Sequence, residues 1–319
     1  MRTIRNAVIL ALAAMLCLFA AAGAETVSGF AVEANTEFKP ELYPYVVHGE
    51  TADWYLSQAD IDAMGLDAMI SGLEQVLVYQ EQDFTDARDL LAPYMNDVPT
   101  IMICTDFSGH AEKSESASAY YNGLSGFIKV FRNWRMCRAS LLHEYVHYLT
   151  LTCAKSPVRA WFWAEGIAEY VSRFACKNRM SRSVNRGTDK EWQDFYREKG
   201  AWDPEEDCID EKLLSIGIAE LYRRGDGVGQ RYNAVNNKVE ERTEKIQQDP
   251  KPELLSYEEA ASMVAYLAER FGEDFVFSHW DGDPEKMEED WGADFRQLYQ
   301  DWAAWNTQQC ALYGLVMDQ

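Results

Sequence analysis

An α+β fold, with a small mixed β-sheet subdomain followed by a mainly helical one, is predicted by three observations. Between about residues 31 and 131 apolar residues come in short blocks or alternate, as strands do, with one helical stretch among them. After Asn133 they recur at helical spacing. The 319-residue chain is 47% hydrophobic and 13% aromatic, which is enough apolar side chain to bury a sizeable core and excludes intrinsic disorder. Thirty Lys and Arg face 52 Asp and Glu, and the net charge of −22 repels a phosphate backbone, which argues against a nucleic-acid partner. Beyond the N-terminus there is no apolar run of membrane-spanning length and no repeat of solenoid period.

Arg2 and Arg5 precede an apolar stretch from Ala7 to Ala22, and Ala22-Gly23-Ala24 has the small residues at which a signal peptidase cuts. Residues 1–24 therefore read as a signal peptide, the mature chain as starting at Glu25, and the protein as secreted, without stable membrane insertion. Six cysteines remain after it, Cys104, Cys137, Cys153, Cys176, Cys208 and Cys310, an even number in a compartment that permits disulfides. Structural bridges and buried thiols both fit them. Their spacing holds no C-x-x-C pair of a cysteine zinc site.

Residues 25–135 are predicted to form an α/β subdomain. Tyr43 to His48 reads as a short strand, and Ile61 to Leu91 as one or two helices broken near Asp83. Pro99 to Cys104 reads as a buried strand and Gly126 to Phe131 as a half-exposed one, suited to a sheet edge. Residues 136–319 complete the same catalytic unit with helices. The first runs from Arg138 to Leu151; Pro157 starts a second, through Trp161 to Phe174. Lys177 to Pro252 is polar and reads as an elaborated insertion. Tyr257 to Phe271, closed by Gly272, and Asp294 to Trp305 are the last helices.

His143-Glu144-Tyr145-Val146-His147 is an H-E-x-x-H pattern inside the first of these helices. Residues four apart share a helix face, so two imidazoles converge on one metal ion while Glu144 stands beside it to handle a proton. A catalytic zinc site needs a third protein ligand, and Glu165 follows on the next helix, 17 residues separating it from His147. Gly166 would let the two backbones approach closely. Glu169, one turn on, is placed to accept the outer ring N–H of a ligand histidine. His48, His110 and His279 lie outside any ligand spacing and read as ordinary surface or packed residues.

The run Trp163-Ala164-Glu165-Gly166-Ile167-Ala168-Glu169-Tyr170 resembles the E-G-x-A-x-Y signature on the second metal helix of gluzincin metallopeptidases, which include aminopeptidase N-type enzymes and peptidase MA-like proteins. The resemblance implies a zincin-like fold, Glu165 as third zinc ligand and Glu169 as the carboxylate that orients a ligand histidine. Ser256-Tyr257-Glu258-Glu259-Ala260-Ala261 is similar to the Y-x-K-G-A segment whose tyrosine stabilises the oxyanion, with Glu259 and Ala260 replacing its Lys and Gly. Tyr120 to Gly126 stands where aminopeptidases carry G-x-M-E-N, without its carboxylate, so strict aminopeptidase specificity is not implied.

The expected reaction is metal-assisted amide hydrolysis of a polypeptide. Zinc on His143, His147 and Glu165 lowers the pKa of a water from 15.7 to about 7, Glu144 takes the proton and delivers it to the departing amine, and Tyr257 stabilises the carbonyl oxygen. An edge strand binds the extended peptide through its main chain. A catalytically silent protein on the same scaffold and an extracellular glycan- or protein-binding module are the alternatives.

Overall fold

A computed structural model describes residues 26–315, apart from 28, 109–117, 187–189, 225–229, 235–238 and 242–253. The proposed signal segment, Glu25 and His110 lie outside these residues. The protein is α+β as expected, with a mixed sheet in the N-terminal part and helices after it.

Seven strands make the main sheet: β1 (Thr26–Val27), β2 (Phe30–Ala34), β3 (Tyr45–His48), β4 (Ala52–Leu56), β5 (Ile101–Thr105), β6 (Ala119–Asn122) and β7 (Phe127–Val130). Their spatial order is β1-β2-β3-β4-β5-β7-β6. β4, β5 and β7 run parallel, with Trp54 opposite Ile103 and Ile103 opposite Ile128, and the other pairs are antiparallel. The strand expected at the edge, β7, is interior. The edge strand on that side is β6, with β1 at the opposite edge, because the chain passes β7's outer side before returning as β7 itself.

Two helices separate β4 from β5. α1 (Gln58–Met64) is capped by the Ser57 side chain, and Gly65, at φ +86°, starts α2 (Leu66–Leu91). The break therefore falls at Gly65, where a positive φ needs glycine. It does not fall at Asp83, which stays helical and buried. Gly72 of α2 lets the indole of Trp134 sit against the helix backbone, with no room for a Cβ.

Trp134 begins α3 (Trp134–Tyr148), whose first turn is capped by Asn133 Oδ1 accepting from Met136 N at 2.9 Å. α3 runs on into a π-helical turn, Leu149–Cys153. The next helix starts four residues later than Pro157: α4 spans Trp161–Tyr170 and continues as a second π-helical turn, Val171–Ala175. The described part of the polar insertion contributes α5 (Arg179–Arg186), α6 (Lys190–Glu198), α7 (Glu211–Arg224) and short strands. α8 (Tyr257–Phe271) begins with a capping box between Ser256 and Glu259 and stops at Gly272, φ +93°. α9 (Glu273–Ser278) and α10 (Met287–Trp291) lead to α11 (Phe295–Leu312), capped by Asp294 and longer than its periodicity suggested.

A single large core takes side chains from both parts, including Trp54, Leu73 and Ile103 from the sheet part and Leu142, Trp163, Val264 and Trp302 from the helices. All six cysteines are free thiols, five buried and Cys176 half-buried. Of the two readings open for them, the structure has the thiols unbridged. Among the described residues no helix is long and apolar enough to cross a membrane.

Candidate metal centre

Helical spacing brings His143 and His147 onto one face of α3, their rings edge to face with centroids 4.5 Å apart. α4 packs across that face and places one carboxylate oxygen between them. Glu165 Oε2 lies 3.2 Å from His143 Nε2 and 3.1 Å from His147 Nε2. One donor atom from each of the three residues fits within 4.8 Å of the others. Ligands at 2.0–2.1 Å in a tetrahedron about zinc stand about 3.3 Å apart, so these separations suit one such ion, and two imidazoles with a carboxylate are a donor set it accepts.

Electrostatics follow the geometry. Burial alone would raise the Glu165 carboxyl, but the imidazoles of His147 and His143 outweigh it and hold it well below the usual carboxylate range. Burial would lower His143, yet Glu169, Glu165 and Glu144 push it well above the ordinary imidazole value. The cluster is thus a place where positive charge is strongly favoured.

Glu169 lies beside His143. Its Oε1 is 3.1 Å from His143 Nδ1, at ion-pair distance but off the line of a directed N–H bond. His147 differs, because its buried Nδ1 has no hydrogen-bond partner among the described residues. Glu144 is buried beside the triangle, and its Oε2 accepts from the backbone N–H of Tyr121 at 2.7 Å, so the edge strand β6 itself holds this carboxylate.

Gly166 does admit a close neighbour, but the neighbour is α8 rather than α3. A Cβ there would come within 2.9 Å of Val264 Cγ2 and 3.3 Å of Ala260 O. This contact sets the start of α8 against the triangle. The Tyr257 ring lies 6.2 Å from that of His143 and edge-on to Trp161 at 5.7 Å.

A cavity of about 1080 Å³ opens over these groups, bounded by β6 on one side and by α7 and α8 on the other. His143, Glu144, His147, Glu165, Glu169 and Tyr257 all reach it. Arg173, Glu211 and Glu258 reach it too, and the sequence reading did not single them out. Only Arg173 carried a local signal, its spacing of four from Glu169. Of the other histidines, exposed His48 pairs with Asp53 at 2.9 Å, and His279 stacks on Phe275, both away from the cavity.

Compared with known proteins, the chain matches no family model and no curated sequence.

Proposed function

We propose that the protein is a secreted zinc-dependent peptide hydrolase of gluzincin type, exported by residues 1–24. The observation that carries this reading is the triangle of His143, His147 and Glu165, with Glu144 alongside it in the wall of a cavity large enough for several substrate residues. Bound zinc would polarise a carbonyl and make water acidic enough to attack near neutrality.

The chain's own residues supply the rest. Glu144 accepts the proton of the attacking water and returns it to the amine, as the carbonyl C–O bond forms and the C–N bond breaks. The Tyr121 N–H fixes the direction of that carboxylate. Tyr257 donates its phenolic proton toward the carbonyl oxygen, where negative charge develops. The edge strand β6 offers main-chain groups to an extended polypeptide, and its neighbouring cavity takes the side chains.

The test is elemental analysis for zinc combined with digestion of a diverse peptide library. Glu144→Gln is expected to retain zinc and lose about 10²- to 10⁴-fold in cleavage rate, and a chelator is expected to abolish cleavage of the wild type. Cleavage that survives either treatment, or a protein that takes up no zinc, overturns the assignment.

A further inference from the structure

The two histidines of the triangle are held unequally, and the difference leads outward to the insertion. His147 Nδ1 has no hydrogen-bond partner among the described residues, whereas His143 Nδ1 faces Glu169. The Glu169 carboxylate is used at both oxygens. Oε1 faces His143, and Oε2 is paired with Nε of Arg173, one turn further along the chain. Arg173 lies in the π-helical turn that follows α4 and is tied at its far end to α7, donating from its guanidinium to the buried Ser215 hydroxyl at 3.3 Å.

A connected series of side chains, Ser215 to Arg173 to Glu169 to His143, thus runs from the insertion to the triangle. Arg173 is also the single Lys or Arg on the described cavity wall, facing Glu169, Glu258 and Glu211. Those carboxylates raise its pKa further above the ordinary arginine value. Removing it would leave Glu169 repelled by the other two and free to turn away from His143.

We propose that Arg173 is a positioning residue of the metal centre, clamping Glu169 so that His143 presents Nε2 to the ion, and that α7 of the insertion is part of the centre through Ser215. This rests on the reading that the triangle holds zinc.

The experiment is a measurement of zinc affinity by competition with a chromophoric chelator on the full protein, with circular dichroism of the zinc-free form as control for folding. Arg173→Gln is expected to weaken zinc binding about 10- to 100-fold, as losses of groups that orient a ligand do. Arg173→Lys, which keeps the charge without the planar guanidinium, should recover part of it. The double variant Arg173→Gln/Glu169→Gln should bind no more weakly than Glu169→Gln alone, because both act through one carboxylate. Wild-type affinity in folded Arg173→Gln, or losses that multiply in the double variant, overturn the proposal. Should Arg173→Gln fail to fold, Arg173→Lys decides it: a loss of several-fold supports the clamp, and unchanged affinity refutes it. A wild type that binds no zinc refutes the metal-site reading itself, whereas zinc-binding protein with indifferent variants refutes only the role of Arg173.

Discussion

Asp83 in α2 and Glu165 in α4 are acids in the middle of helices, Asp83 buried and Glu165 half-buried, and they have opposite surroundings. Asp83 is completely buried and accepts from the backbone N–H groups of Arg179 and Met180 at 3.0 and 2.9 Å and from the Arg179 guanidinium at 3.0 Å. Burial raises its pKa in spite of these bonds. Glu165 meets two imidazoles directly in the wall of an open cavity, and its pKa is lowered in spite of its partial burial. The comparison teaches that burial of a carboxylate does not mark a functional site. What marks it is whether the partners are fixed donors that close a joint between elements, or titratable side chains whose protons a metal cation could replace.

The contrast predicts different losses. Asp83→Ala should cost about 2–4 kcal/mol of stability in urea titration, because it leaves the backbone donors of Arg179 and Met180 without their acceptor where α5 meets α2, while the Arg179 guanidinium keeps Asp86 at 2.6 Å. The folded fraction should bind zinc with wild-type affinity. Weakened zinc binding would mean that the two acids belong to one network after all.

The same pair shows what could be read from the chain. A charge on the apolar face of a helical pattern suggested a break at Asp83, because the groups that satisfy it come from residues 96 and 97 positions away. Nothing local announces such a partner. The H-E-x-x-H pair was legible because four-residue spacing is a property of a single helix, and the start of α8 was legible because Ser256 and Glu259 form their box within one turn. Glu165 came from a motif. The identity of the edge strand did not follow from the order of strands along the chain, since β7 pairs with β5 and pushes β6 outward. Glu211 and Glu258 likewise reach the cavity only through packing of α7 and α8.

That packing can be broken directly. Gly166→Ala places a methyl group 2.9 Å from Val264 Cγ2 and 3.3 Å from Ala260 O. The valine can turn, but the carbonyl belongs to the α8 backbone, so the helices must part. A loss of about 1–3 kcal/mol is expected in thermal or urea unfolding, with weaker zinc binding because Glu165 is the adjacent residue. Loss of stability with unchanged zinc affinity would show that the triangle does not depend on how α4 meets α8.

Glu211 is a third kind of buried acid, lying between the two compared above, and its effect is the smallest. It is 7% exposed and bonded to the Ser181 hydroxyl and, at 3.0 Å, to Asn178 Nδ2. Burial pushes its carboxyl from 4.5 up to about 6, with Arg173 and Ser181 pulling it down and Glu169 pushing it up. Below pH 4.5 folded and unfolded chains both keep the proton, so the group has no effect on stability. Between pH 4.5 and 6 the unfolded chain releases a proton that the folded chain retains, and stability falls as pH rises. Above pH 6 the cost is constant at about 2 kcal/mol. Glu211→Gln keeps an oxygen for Asn178 and removes the charge, so at pH 8 it should be more stable than wild type by up to about 2 kcal/mol, and at pH 4 the two should unfold at the same urea concentration. A difference of the same size at both pH values would trace the change to packing instead. Glu211 would then belong with Asp83, as a joint between elements, and not with the charged groups that face the cavity.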